Sequence, residues 1–172
     1  MFNVLEFRKE FPILSKEVNS KPLVYLDNGA SSQKPVSVID TVKNCYENEY
    51  SNVHRGLHFL SNLATEKFEA VRDKVMKFLG ASYHEEIIFT SGSTEALNLI
   101  SYSWGIPNLE PGDEIILTTL EHHANIVPWH FLRSRKDIKL TWIDPDENGQ
   151  ISFDMINEKI SSKTKMVCIT HM

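Results

Sequence analysis

Two short stretches bring together side chains that could do chemistry. The first is TSGSTEALNLI, residues 90–100, which follows the apolar run IIFT. A strand ending in a turn of Ser, Gly, Ser and Thr, followed by a helix with Glu95 in its first turn, puts free amides and hydroxyls at a helix N-terminus. Such a cradle suits an anion. Gly92 allows close backbone approach to a phosphate, and Ser93 and Thr94 can donate hydroxyl hydrogen bonds to it. Ordinary N-capping accounts for the same residue types. Neither GxxxxGK[ST] nor GxGxxG occurs, so the anion expected is a single phosphate monoester.

The second stretch is EHHANIVPWH, residues 121–130, directly after the apolar run EIILTT. Two metal ligands on one helix face need a spacing of three or four, whereas His122, His123 and His130 are one and seven apart. Positions seven apart on a helix are separated by roughly 10 Å, too far for one ion. His54 and His58 have the right spacing, but Gly56 between them and the lack of helical periodicity argue against a rigid chelating pair. No metal is expected. His122 is then either a satisfied core histidine or a functional ring at a strand's carboxyl edge, where open α/β sheets bind ligands.

Three other features read as structural. DPDENGQISFDM resembles a calcium loop at Asp144, Asp146, Asn148, Gly149 and Ile151, but Met155 stands where a bidentate Glu belongs. A tight polar turn fits better. Cys45 and Cys168 are far apart and suit buried, inert thiols rather than a nucleophile. No lysine follows a strand in a way that marks a Schiff base.

The elements that would position these groups follow from periodicity. Val36, Ile39, Val42 and Tyr46 predict a short amphipathic helix. Ala64, Phe68, Val71, Val75, Phe78 and Leu79 predict a long one from Ser61, closed by Gly80. SNVHRGLHFLSN, between them, reads as loop, and KPLVYLD as a short early strand. After the long helix, EIIFT, EIILTT, KLTWI and KMVCIT read as strands, with helices in EALNLISYSW, VPWHFLRSR and around FDMINEKI. That alternation predicts an α/β fold with a mainly parallel sheet. Organisation changes near residue 60: residues 1–60 form an arm with a short helix and a loop, and 61–172 the sheet-bearing part.

The chain has 172 residues, enough for one domain with a real core. Its net charge of −5 offers no basic stripe, which argues against nucleic acid. The N-terminus has no unbroken apolar signal and no run is long enough to span a membrane, so a cytoplasmic protein is expected.

LEFRKEFPIL, VYLDNGASSQKP, VHRGLHFLSNLATEKFEAVR, IIFTSGSTEALNLI, GDEIILTTLEHHANIVPWHFL and MVCITH, in this order, closely resemble the SUF-type cysteine desulfurases. These are pyridoxal 5′-phosphate enzymes of the class V aminotransferase group. The resemblance implies the large domain of fold type I, with 61–172 as its first half. It implies that His122, as the catalytic histidine, stacks on the cofactor's pyridine ring, and that Gly92, Ser93 and Thr94 hold its phosphate. It places Gly29, Ala30, His54 and Arg55 at the substrate mouth, partly across a homodimer interface. The implied reaction takes sulfur from L-cysteine, leaving L-alanine and an enzyme persulfide that a sulfur-acceptor protein carries toward iron–sulfur cluster assembly. The Schiff-base lysine and nucleophilic cysteine of such enzymes are expected beyond residue 172. This chain therefore reads as a fragment, inactive alone, with a gap in its sheet and exposed strand edges. The same cofactor platform suits a selenocysteine lyase or a kynureninase-like enzyme, and a non-enzymatic phosphate- or calcium-binding module is the reading from another class.

Overall fold

The computed structural model describes residues 2–171, and the chain divides into two compact units, 1–87 and 88–172. The length alone suggested one domain. Burial shows the difference between the two: among the described residues, only Ser61 and Ile87 of the first unit are buried, whereas the second holds a continuous core.

In the first unit, α1 (Val4–Arg8) is capped by Asn3, whose Oδ1 accepts from the Leu5 and Glu6 amides. The Arg8 guanidinium donates to the Leu14 and Leu23 carbonyls at 2.9 and 2.7 Å, tying the arm together. The early strand is shorter than KPLVYLD suggests. Only β1 (Glu17–Val18) and β2 (Lys21–Pro22) pair, antiparallel, around Asn19 and Ser20, which both have positive φ as a tight hairpin turn needs. Helix α2 (Val36–Asn44) continues into one π turn, Cys45–Glu49. Helix α3 spans Phe59–Leu79 and ends at left-handed Gly80. It starts two residues earlier than its apolar stripe predicts, because the His58 ring accepts from the Ser61 amide and caps it. The stripe is only partly covered, and Val71, Phe78 and Leu79 remain exposed.

In the second unit, α4 (Ser93–Ile100) runs through a π turn into α5 (Ile106–Asn108). Then come β3 (Glu114–Thr118), α6 (Val127–Lys136), β4 (Lys139–Ile143), α7 (Phe153–Lys159) and β5 (Thr164–Cys168). The three strands are parallel, in the order β4-β3-β5. All five residues of β3 are buried, as a central parallel strand requires. Ile115 and Leu117 face a cluster with Leu109, Trp129, Leu132, Ile138 and Leu140, while the alternation of the strand turns buried Ile116 to the other face.

The expected strand at IIFT does not form. Residues 87–90 run without strand pairing among the described residues, since a strand exists only through a partner, and Ile88 is 65% exposed. Both β4 and β5 are sheet edges.

A carboxylate clamps the amino end of the sheet. Buried Glu114 on β3 accepts hydrogen bonds from the Thr141 hydroxyl on β4 and the Thr164 hydroxyl on β5, with the Lys139 ammonium 3.2 Å away. Burial pushes its carboxyl up, but these partners together outweigh it and hold the group below the ordinary carboxylate range. A depressed value contributes stability above the unfolded-state value near about 4.3, and that contribution is lost as pH falls through the folded value. Glu114→Gln should therefore cost about 1–3 kcal/mol at neutral pH. In chemical denaturation the gap to wild type should narrow below about pH 4. Equal stability at neutral pH would show that the clamp contributes nothing.

Candidate functional site

The TSGSTE turn ends at the N-terminus of α4, where Gly92 is the N-cap residue and has no side chain to cap with. Glu95 folds back past it: its Oε2 accepts from the Ser91 amide at 2.6 Å and the Ser91 hydroxyl at 2.7 Å, outside the helix. Those bonds, the hydroxyl's first, hold the Glu95 carboxyl below its usual range. The consequence lies in what stays free. The hydroxyls of Ser93 and Thr94 and the amides of 93–95 donate to no protein acceptor among the described residues. Gly92 has an extended φ of 162°, so no backbone strain requires glycine, and a Cβ there would meet no atom within 4 Å. The space over the helix start is open to an anion.

The EHHAN turn is held from beneath by Glu121, a residue the sequence reading passed over. Its buried carboxylate receives three donors: the Thr118 hydroxyl (2.6 Å) and the Thr170 amide (2.8 Å) at Oε1, and the Asn125 Nδ2 (2.7 Å) at Oε2. Asn125 in turn accepts from the buried Trp129 indole N–H at 3.0 Å. The sequence did contain a signal for this, since Glu121, Asn125 and Trp129 recur at steps of four through the turn and into α6.

Above this network His122 is exposed, and its Nδ1 accepts from the Ala124 amide at 3.1 Å. A ring nitrogen that accepts carries no proton, so the neutral ring is protonated at Nε2. Its exposure excludes the core-histidine reading. His123 diverges from it, with ring centroids 6.2 Å apart and planes at 57°, and His130 lies on α6 beside the Trp142 ring. Among the described residues no three His, Cys, Asp or Glu side chains gather as a metal site would need.

Helix α4 packs against the 3-10 turn His123–Asn125. The fold thus brings the helix that begins at Ser93 beside the turn that His122 opens. An adjoining cleft of about 1030 Å³, lined by Thr118, Glu121, His122, Ile151, Phe153 and Thr170 among others, does not include Ser93 or Thr94. The cleft is therefore not the anion cradle itself.

Gly29, Ala30, His54 and Arg55 belong to the first unit. Gly29 and Ala30 lie in an exposed turn closed by the Tyr25 hydroxyl, which donates to the Ser31 carbonyl at 2.6 Å. His54 has a positive φ of 65°, its amide donates to the Thr65 hydroxyl, and its Nε2 is 3.2 Å from the Glu69 carboxylate. The loop is drawn onto α3 at Gly56, where a Cβ would come within 2.4 Å of Ser61 Cβ, so glycine is required there. Arg55 is exposed. In the DPDENG turn, Asp146 accepts from the Asn148 and Gln150 amides, closing a polar turn on itself.

A probable cysteine desulfurase of Synechocystis sp. is 47% identical over 165 residues, which are 96% of this chain and 39% of the relative. One of Staphylococcus aureus (strain COL) is 47% identical over 171 residues, 99% of this chain and 41% of the relative. The apo cysteine desulfurase of Thermococcus onnurineus NA1 superposes with a TM-score of 0.88 at 34% identity, covering all of this chain and 41% of that one. The chain thus spans about two fifths of the length of these proteins, and its parallel α/β unit has the fold of the PLP-dependent fold type I enzymes. The aminotransferase class-V family model matches residues 24–172, and to that family the chain belongs.

Proposed function

We propose that the two loops of the second unit hold pyridoxal 5′-phosphate, and that the chain is the cofactor-berth part of a SUF-type cysteine desulfurase. One observation supports the reading: helix α4, whose first turn leaves its hydroxyls and amides unengaged among the described residues, packs against the 3-10 turn that follows the exposed His122. Ser93, Thr94 and the adjoining amides suit a phosphate monoester, helped by the positive end of the helix dipole. A neutral His122 suits a flat heterocycle better than an imidazolium would, because stacking against it needs no desolvation of a charge. When bound, this cofactor acts as an electron sink for amino-acid substrates. Neither loop contains a lysine, so the part these two loops supply is noncovalent: they bind the phosphate and orient the ring.

The relatives' names support L-cysteine as substrate. In this reading Gly29, Ala30, His54 and Arg55 line the substrate mouth. The whole enzyme works as a homodimer in the cytoplasm and hands sulfur to an acceptor protein for iron–sulfur clusters.

Cys168 is not the sulfur-accepting thiol. Burial, reinforced by the nearby Glu121 charge, pushes it up to about 12, so it stays protonated at neutral pH. A thiol raised in this way contributes stability fully below the unfolded value near about 8.5, and loses that contribution as pH rises toward the folded one. In native protein at pH 8, iodoacetamide should therefore alkylate exposed Cys45 while Cys168 reacts roughly a thousandfold more slowly. Comparable rates, read by peptide mass spectrometry, would contradict this.

The phosphate claim is tested with pyridoxamine 5′-phosphate, which binds without forming a lysine adduct. Ser93→Ala with Thr94→Val should weaken it by about 1–3 kcal/mol per lost buried partner in equilibrium dialysis, while weak binding of unphosphorylated pyridoxamine should not change. Equal losses for both ligands, or none, would count against a phosphate cradle at 92–94.

A further inference from the structure

We propose that Glu121 is a positioning residue: its carboxylate, which accepts from three converging donors, orients the EHHAN turn and so fixes the His122 ring. The inference rests on the reading of His122 as the ring platform, but it follows from hydrogen-bond polarity. An indole N–H can only donate, so Trp129 requires Asn125 to present its oxygen, and the Asn125 amide nitrogen must then point at Glu121. The Thr118 hydroxyl accepts from the Leu120 amide at 3.3 Å and donates to Glu121, and the Thr170 amide can only donate. Every neighbour therefore needs an acceptor at Glu121, at both of its oxygens. Only a carboxylate provides this; a glutamine offers one oxygen and turns its NH2 toward another NH2.

The network links three pieces of the fold. Thr118 ends β3, Thr170 follows β5, and Asn125 with Trp129 runs from the 3-10 turn into α6. Glu121 sits at their junction, one residue before His122, whose Nδ1 accepts from the Ala124 amide within the same turn. If the turn loses its anchor, the Ala124 amide no longer has a fixed direction and the imidazole is free to change tautomer.

Polarity makes the proposal testable with variants that conserve size. In Glu121→Gln the chain has two donors face to face; in Asn125→Asp, two carboxylates. Combining Glu121→Gln with Asn125→Asp reverses the hydrogen bond between the two positions. The new side-chain amide then donates to the new carboxylate, which still accepts from Trp129, while the amide oxygen keeps Thr118 and Thr170. The measurements are made on the 172-residue chain: His122 ring ¹⁵N shifts, exchange protection of the Trp129 indole N–H, and affinity for pyridoxamine 5′-phosphate.

Wild type should show the Nε2–H tautomer. Each single variant should shift the ring toward averaged tautomers, speed indole exchange and weaken the ligand roughly tenfold. The double variant should recover all three. Ile116→Val, a core deletion away from the turn, should lower the melting temperature without moving the His122 shifts. An unchanged tautomer in Glu121→Gln, or a double variant no better than the singles, would overturn the proposal. If wild type shows the expected tautomer pattern but does not bind the ligand, the positioning role stands and the cofactor reading falls.

Discussion

The functional end of the second unit depends on one buried negative charge. Glu121 lies in a layer that also contains the hydrophobic cluster around Trp129, and burying a carboxylate is costly unless its lone pairs are filled. Three short hydrogen bonds fill them, each from a different part of the fold, so the requirement to satisfy this charge fixes the EHHAN turn against the ends of β3 and β5. Glu114 does the same at the opposite end of the sheet, joining β4 and β5 through β3. The two differ in what they support. The clamp at the amino end holds strands alone; the one at the carboxyl end also holds a loop that carries an exposed histidine.

The α4 side is organised by a different rule. Because Gly92 cannot cap, Glu95 reaches back to Ser91, and the donors of the first helical turn are left without a protein acceptor among the described residues. A serine or aspartate at the N-cap would have taken one of those amides. The cradle is thus produced by the missing side chain, and the open space above Gly92 is its visible result.

Much of this was legible in the sequence. Apolar runs and helical periodicity located β3, β4, β5, α6 and α7, and the Ser-Gly-Ser-Thr turn before Glu95 identified the free helix start. Local sequence could not separate a strand-edge ring from a buried core histidine at His122; its exposure in the turn after β3 removes the buried alternative. The failures were nonlocal. IIFT has the composition of a strand but no partner to pair with among the described residues, and composition does not report partners. The stripe on α3 predicts a helix correctly without saying what covers Phe78 and Leu79, which remain exposed. Glu121 was passed over, because its meaning comes from Thr170, forty-nine positions away.

The central claim is that residues 92–94 and His122 belong to one site for a phosphorylated heterocycle. Titration of ¹⁵N-labelled chain with pyridoxamine 5′-phosphate tests it most directly. The account predicts that the Ser93 and Thr94 amides and the His122 ring nitrogens shift together along a single binding curve, and that inorganic phosphate moves only the two amides. Separate curves for the two loops, or a His122 ring that does not respond while the amides do, would contradict it.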